Sequence, residues 1–195
     1  MEFLIENVKV FGLEESLISS GYPKTIDTVS LWADDFDQNM KDRHKSRGVV
    51  LGHAKAGSGH DCYLKGIIVQ WDITATHAFW IQYLRYHFSD IISSQSKMHK
   101  ITNMNLRQQS HKLVLPAIIA HCEIIKADYL ETKSQEDFER LIYNLPMGLM
   151  LTARCTDNYL SLKTQYQQRK TDKLSEWHEY CKEIEYLPMF KELVL

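Results

Sequence analysis

Histidine, cysteine and aspartate are the residues of this chain best suited to bind a metal ion or to attack a substrate. There are nine histidines and four cysteines. The densest group comprises His53, His60, Asp61 and Cys62, and a second pair is His121 and Cys122. Neither group shows the HExxH pattern or paired ligand spacing, and no cysteine lies in a recognisable nucleophile motif. We therefore expect neither a dedicated metal site nor cysteine-based catalysis.

A glycine-rich stretch covers residues 56–61, with the sequence Ala-Gly-Ser-Gly-His-Asp. It is too short and too unlike GxGxxG to be a phosphate loop, and Gly57-Ser58-Gly59 is not the GxSxG of a serine hydrolase. We expect a tight turn before a strand.

Composition narrows the class of protein. A chain of 195 residues with 44% hydrophobic and 25% charged residues is typical of a globular domain. Lys and Arg total 23 against 25 Asp and Glu, so a nucleic acid polymer is not the expected partner. No apolar run approaches the roughly 20 residues needed to cross a bilayer. The absence of CxxC pairs and of a signal peptide predicts reduced thiols and a cytoplasmic location.

The sequence of the N-terminal half predicts two strands and three helices. The first strand covers about residues 3–11, and the helices cover about 13–20, 35–45 with a continuation through 49–51 after a break at Gly48, and 77–88 with Thr76 as its cap. The clearest strand has one apolar face, formed by Ile67, Val69, Trp71 and Ile73.

The C-terminal half predicts mainly helices. Residues 89–99 look irregular. The expected elements are a helical region over 106–130 disturbed at Pro116, a helix from Ser134 that stops before Pro146, a strand over 147–155, a helix capped by Asp157 that runs to Arg169, and a last helix over 173–184. The sequence has no repeat and no convincing linker, so we expect one α/β domain over residues 1–195 with few strands and long helices.

Two stretches near the middle of the chain carry a family resemblance. Residues 69–87, Val-Gln-Trp-Asp-Ile-Thr-Ala-Thr-His-Ala-Phe-Trp-Ile-Gln-Tyr-Leu-Arg-Tyr-His, resemble the strand–helix unit of flavin-dependent thymidylate synthases, whose helix ends in Gln-Trp-x-Arg-His-Arg. Gln82 falls on the glutamine and Arg85 on the first arginine. The loop at 93–99, Ser-Ser-Gln-Ser-Lys-Met-His, is similar to the family's Asn-Glu-x-Ser-x-Arg segment with one residue inserted, which places Ser96 on the serine.

A third stretch lies near the C-terminus. It resembles the family's Leu-Pro … Asn-x-Arg-Ser-Leu … Arg pattern, and the matching residues are Leu145-Pro146, Asn158, Ser161-Leu162 and Arg169. The resemblance covers about residues 67–99 and 145–185, less than half of the chain, and each motif alone is weak. More closely, the chain looks like a divergent, phage-encoded relative. The resemblance implies a single α/β domain with a small, mostly antiparallel sheet and long helices.

The family acts as a methyltransferase on a pyrimidine nucleotide, with a flavin and a folate as cofactors. By resemblance, Gln82 and Arg85 hold the nucleotide, Ser96 donates to its phosphate and Arg169 reaches the base from another subunit. Arg85 and Arg169 are then also the candidate catalytic residues, because a guanidinium offers paired donors to phosphate or to uracil carbonyls. The resemblance further implies a homotetramer with its sites assembled between subunits.

The flavin half of the pattern is altered. The positions that resemble flavin contacts are His87, Asn158 and Ser161. The family's Arg-His-Arg triplet is Arg85-Tyr86-His87 here, and its second C-terminal arginine is Leu160. Each lost charged hydrogen bond costs about 1.5–3 kcal/mol, so FAD binding is in doubt, while nucleotide binding is less affected. The role of folate stays open.

Each of these residues also has a purely structural interpretation. Arg85 suits a helix C-terminus, and Arg169 suits a solvated helix face. Gln82 could be an ordinary polar helix residue, Ser96 a turn residue and Asn158 a helix start.

Three functions remain open on the sequence. The chain could be a divergent pyrimidine-nucleotide methyl- or hydroxymethyltransferase. It could be a non-catalytic protein that binds or sequesters a nucleotide, including a modified signalling nucleotide. It could also use the fold for protein interaction alone, because fold does not fix function.

Overall fold

The computed structural model describes residues 1–32, 38–55 and 57–195. Four strands form one antiparallel sheet in the order β1-β2-β4-β3. The strands are β1 (Leu4–Phe11), β2 (Ile68–Thr76), β3 (Asp90–Ser94) and β4 (Met150–Asn158). The helices are α1 (Leu13–Ser19), α2 (Gln38–Gly52), α3 (His77–Tyr83), α4 (Lys97–Lys100), α5 (Leu106–Gln109), α6 (Pro116–Thr132), α7 (Gln135–Asn144), α8 (Tyr159–Arg169), α9 (Ser175–Glu185) and α10 (Phe190–Val194). The predicted fold class, α/β with a small antiparallel sheet and long helices, is confirmed.

The chain forms two compact units. The first unit contains Met1–Glu6, Asp72–Arg85 and Ile91–Cys155. The second unit contains Asn7–Trp71, Tyr86–Asp90 and Thr156–Leu195. All four strands contribute residues to both units. That residues 1–195 act as one domain stays a prediction.

The core of the first unit lies against α6 and α7. Its buried members are Ile101, Leu106, Ile119, Cys122, Ile125, Leu141 and Leu149. Pro116 begins α6, where a missing N–H leaves no hydrogen bond unmade. Lys133 ends α6 in the left-handed conformation, and the Ser134 hydroxyl then accepts a hydrogen bond from the Asp137 N–H at 3.1 Å and begins α7. The region predicted as one disturbed helix is therefore α5, a connection and α6.

The core of the second unit is built from α8, α9 and α10. Its fully buried side chains include Tyr159, Leu162, Trp177, Tyr180, Ile184, Phe190 and Leu193. The helix α2 runs unbroken through Gly48, so the predicted break there is wrong. A Cβ atom at Gly48 would clash with the Leu17 side chain of α1, which explains the glycine as a close helix contact rather than a helix end. The start of the predicted helix, residues 35–37, lies outside the described residues.

The sheet confirms the three predicted strands as β1, β2 and β4, although β4 begins and ends three residues later than predicted, and it adds β3. Ile67, Val69, Trp71 and Ile73 are all fully buried, as the alternation predicts. The segment 89–99, predicted as irregular, contains β3 and α4 instead. Four of the five β3 residues are exposed. An edge strand with little burial produces no apolar alternation, so periodicity could not reveal it.

The helix α3 is shorter than predicted. Thr76 caps it as expected, with its hydroxyl oxygen accepting from the Phe79 N–H at 3.3 Å. The helix ends at Tyr83 rather than at residue 88. Leu84 and Phe88 are 62% and 74% exposed, so further turns would gain no burial, and Phe88 has a φ of +67° that no α-helix can hold.

Candidate functional site

Two predicted site residues meet at the start of α8. The Asn158 side chain accepts a hydrogen bond from the Ser161 N–H at 2.9 Å. Asn158, not Asp157, is therefore the cap of this helix, and the predicted Asp157 cap is wrong. An N-cap must accept from a free helical N–H, and the Asp157 carboxylate is engaged elsewhere.

Asp157 lies at the centre of a buried polar network in the second unit. Its carboxylate accepts from the Trp71 indole N–H at 2.9 Å and from the Ser89 hydroxyl at 2.5 Å. The Gln165 amide also donates to it, at 3.1 Å. Asp157 is only 2% exposed. Since a buried carboxylate needs such donors to be tolerated, this network fixes where the surrounding segments lie.

The same network includes Ser161, a predicted cofactor contact. Its hydroxyl oxygen lies 3.0 Å from the Ser89 hydroxyl and accepts from the Gln165 amide at 3.0 Å. The Tyr180 hydroxyl donates to the side-chain amide oxygen of Gln165 at 2.8 Å and so extends the network. The Ser161 hydroxyl is thus directed into the interior of the second unit.

Arg169 lies at the C-terminal end of α8, roughly 16 Å from Asn158 along the helix axis. Its Nε donates to the Tyr86 hydroxyl at 2.7 Å and its Nη1 to Asp172 at 2.6 Å. Its guanidinium carbon lies 4.6 Å from the centre of the Trp177 ring and 5.4 Å from that of Tyr86. The alternative interpretation of Arg169 as part of a solvated helix face is wrong for this side chain, which is only 16% exposed.

The ion pair with Asp172 is reinforced by the backbone. Burial alone would raise the pKa of Asp172, but the Leu174 N–H and the Arg169 guanidinium outweigh it and hold that pKa below its ordinary value. Asp172 therefore stays ionised near neutral pH. The guanidinium is held by a charged partner, a hydroxyl and an aromatic face, the arrangement for which arginine is best suited.

The segment from Tyr86 to Ser89 runs along α8. Tyr86 contacts Arg169 in the last turn of the helix, and Ser89 contacts Ser161 in the first. Between these two anchors, His87 and Phe88 are exposed. His87, a predicted cofactor contact, is therefore displayed on a segment that is fixed at both ends.

The remaining predicted residues belong to the first unit. Gln82 lies in the last turn of α3 and is half-buried, and Arg85 lies two residues beyond that helix and is exposed. Ser96 caps α4, because its hydroxyl oxygen accepts from the His99 N–H at 3.3 Å. Gln82 and Arg85 are thus close in the chain, while Ser96 lies on the next connection after β3.

Sequence reasoning missed a buried cation in the second unit. Lys163 donates to the Gly52 carbonyl at 2.7 Å, the Ala54 carbonyl at 3.3 Å and the Asp61 carboxylate at 2.8 Å. With Leu160 and the exposed Lys65, it lines a cavity of about 320 Å³. Since an ammonium has three N–H donors, these three acceptors satisfy all of them, and the Asp61 carboxylate balances the charge of Lys163.

The glycine-rich stretch borders the same cavity. Gly57 and Gly59 both have positive φ, +82° and +79°, as a tight turn requires. A short 3-10 helix, Cys62–Gly66, separates the turn from β2. Ala56 lies outside the described residues.

Residues 1–32, 38–55 and 57–195 contain no group of three His, Cys, Asp or Glu side chains that could hold a metal ion. All four cysteines are free thiols, and only Cys62 is exposed. No described helix is both long and apolar enough to cross a bilayer.

Comparison with known proteins identifies the fold. No protein-family model matches the sequence, and no curated protein does. Two structures of the flavin-dependent thymidylate synthase ThyX from Helicobacter pylori with FAD and dUMP match with TM-scores of 0.69, at 13% and 15% identity. The matches cover 100% of this chain and 98% and 97% of those chains.

A third match is the UMP/dUMP methylase PolB from Streptomyces cacaoi, bound with 5-Br dUMP. It has a TM-score of 0.65 and 10% identity, and the match covers 94% of this chain and 88% of that one. The resemblance seen in the sequence is thus confirmed at the level of structure: the chain has the fold of the flavin-dependent thymidylate synthases.

Proposed function

We propose that this protein binds a pyrimidine nucleoside monophosphate. The observation that carries the proposal is the fold match over nearly the whole chain to three structures, two solved with dUMP and one with 5-Br dUMP. The nucleotide contacts proposed here are Gln82, Arg85 and Ser96 of one subunit and Arg169 of a neighbouring subunit.

The state of Arg169 supports this proposal. Its guanidinium is already ordered by Tyr86, Asp172 and Trp177. An arginine that is ordered before binding loses less side-chain entropy when it contacts a ligand. A planar guanidinium also offers donors in the geometry that uracil carbonyls and phosphates accept.

The side chains at the proposed flavin positions fit FAD poorly. Leu160 has no group that could neutralise a diphosphate. Asn158 caps α8 and Ser161 lies in the buried network, so both are engaged in holding the fold. His87 is the one exposed side chain among them. We therefore assign the protein a nucleotide site without a flavin step.

A second candidate function is methyl or hydroxymethyl transfer to the bound pyrimidine, with Arg85 and Arg169 as catalytic residues. The likeness to a UMP/dUMP methylase favours it. The protein would then carry a flavin or accept one, together with a folate. We also propose that the protein is a phage-type relative of these synthases and works in the cytoplasm. We propose further that it is a homotetramer, in which residues of neighbouring subunits complete each site.

Calorimetric titration with dUMP tests the proposal. We expect binding by the wild type and a loss of at least about tenfold in affinity for Arg169→Ala, the size expected for one charged hydrogen bond. Arg140→Ala is the matched control, because Arg140 forms ion pairs with Glu136 and Asp137 of its own helix α7 and is not among the proposed nucleotide contacts. Equal affinity of the two variants would contradict the role of Arg169.

An absorption spectrum of the protein purified without added cofactor separates the two candidate functions. Released FAD would favour methyl transfer, and the next assay would follow the methylation of dUMP. A colourless protein that releases or binds a pyrimidine nucleotide would favour the binding role.

A further inference from the structure

The orientation of Arg169 depends on a residue from outside its own helix. Asp172 follows Arg169 by three positions, so this ion pair is local. Tyr86 comes from the connection between α3 and β3, 83 positions away, and its hydroxyl accepts from Nε at 2.7 Å. The Tyr86 ring also lies 5.4 Å from the guanidinium carbon. Tyr86 therefore binds Nε, while Asp172 binds Nη1 of the same guanidinium.

Tyr86 is itself held in place. Its hydroxyl donates to the side-chain amide oxygen of Gln168 at 3.1 Å while accepting from Arg169. Its ring meets the Trp177 ring edge to face, with the centroids 6.0 Å apart and the planes at 72°. A phenol has one donor and can accept as well, so both functions of the hydroxyl are used. The side chain is a fixed support rather than a mobile contact.

We infer that Tyr86 is a positioning residue, which sets the orientation of Arg169 toward the nucleotide. This inference rests on the proposed function. Tyr86 acts through Arg169: without the phenolic oxygen, the guanidinium keeps Asp172 and the Trp177 face but can turn about the remaining contacts. An arginine with more freedom before binding has more to lose on binding, which weakens the affinity.

The test is a set of dUMP titrations by calorimetry. Tyr86→Phe keeps the ring and removes only the oxygen. Tyr166→Phe is the matched control. Tyr166 lies near the C-terminal end of α8, and its hydroxyl donates a hydrogen bond to Glu185 at 2.7 Å. We expect Tyr86→Phe to weaken dUMP binding about tenfold, and Tyr166→Phe to change it by less than about twofold.

A double-mutant cycle separates positioning from general destabilisation. If Tyr86 acts only through Arg169, Tyr86→Phe should weaken binding no further in an Arg169→Ala background. A full additional loss in that background would overturn the inference, as would wild-type affinity in Tyr86→Phe while Arg169→Ala binds weakly. If the wild type binds no dUMP, the proposed function itself fails, which is a distinct result.

Discussion

At the residue scale, Asp157 and Asn158 show how hydrogen bonds in the interior decide which of two neighbouring residues caps a helix. Both are good N-cap residues, so the sequence alone does not choose between them. Trp71 and Ser89, which are 86 and 68 residues away in the sequence, donate hydrogen bonds to the Asp157 carboxylate and so hold it in the interior. Asn158 therefore accepts the hydrogen bond of the helical N–H and caps α8.

Removing the Asp157 carboxylate should destabilise the protein. Asp157→Ala would leave the buried donors of Trp71, Ser89 and Gln165 without this acceptor, and each unmet buried group costs about 1–3 kcal/mol. We expect the free energy of unfolding in urea to fall by at least about 2 kcal/mol. Asp128→Ala, at an exposed position of α6, is the control and should change it by less than about 0.5 kcal/mol. Equal stability of the two variants would refute the network's role.

The four thiols should differ sharply in reactivity. Burial, with Glu185 nearby, raises the pKa of Cys181 to about 11, and burial also raises the pKa of Cys122. The thiolate is the reactive form. We expect Ellman's reagent to modify one thiol rapidly in the native protein, Cys62, and all four after denaturation. Cys62→Ser should abolish the fast phase, and rapid modification of a second thiol would contradict the structure.

Stability should fall on mild acidification because of a buried histidine. Burial, with Arg47 alongside, lowers the pKa of His44 below its ordinary value of 6.5. Since the fold disfavours the protonated ring, this contribution is complete above pH 6.5 and declines as the pH drops through it. We expect a lower melting temperature at about pH 5.5 than at about pH 7.5, and a smaller difference in His44→Gln. An unchanged difference in the variant would show that His44 is not responsible.

At the element scale, Lys163 joins three parts of the second unit. It ties α8 to the end of α2 through Gly52 and to the turn before β2 through Asp61. A cation at the carbonyl end of a helix complements its dipole. Sequence reasoning placed α2 and α8 but could not pair them, because a lysine in a helix is usually solvated.

Lys163→Met should destabilise the protein strongly. The variant leaves the Asp61 carboxylate, only 3% exposed, without its counter-ion, and breaking a buried pair costs about 3–5 kcal/mol. Urea denaturation should show this loss, with the exposed Lys170→Met as the control. The double variant Lys163→Met with Asp61→Asn should recover part of it. A single variant as stable as the control would contradict the buried pair.

The elements that the sequence predicted well are those with a buried face or a local signal. The strand around Trp71 alternates because one face is fully buried, and Ser134 and Thr76 cap their helices through contacts three residues away. The end of α3, β3 and α10 were missed. Their boundaries depend on tertiary contacts or lie at exposed edges, where periodicity is weak.

At the scale of the whole molecule, the order of the motifs predicted the fold although identity to the matched structures is only 10–15%. The site was less predictable. The pattern selected Arg169, but its partners Tyr86 and Trp177 come from separate segments that only the folded chain brings together. The Asp172 pair, in contrast, follows from an i, i+3 spacing that the sequence already shows.

Calorimetric titration of the wild type with dUMP is the decisive measurement for the proposed nucleotide site. We expect saturable one-site binding with a dissociation constant below about 1 mM. We also expect ligand at about 100 times that constant to add about 2.7 kcal/mol to the stability. No binding heat together with no shift in melting temperature, for dUMP and for the other pyrimidine monophosphates, would contradict the proposed site and leave the protein with the fold alone.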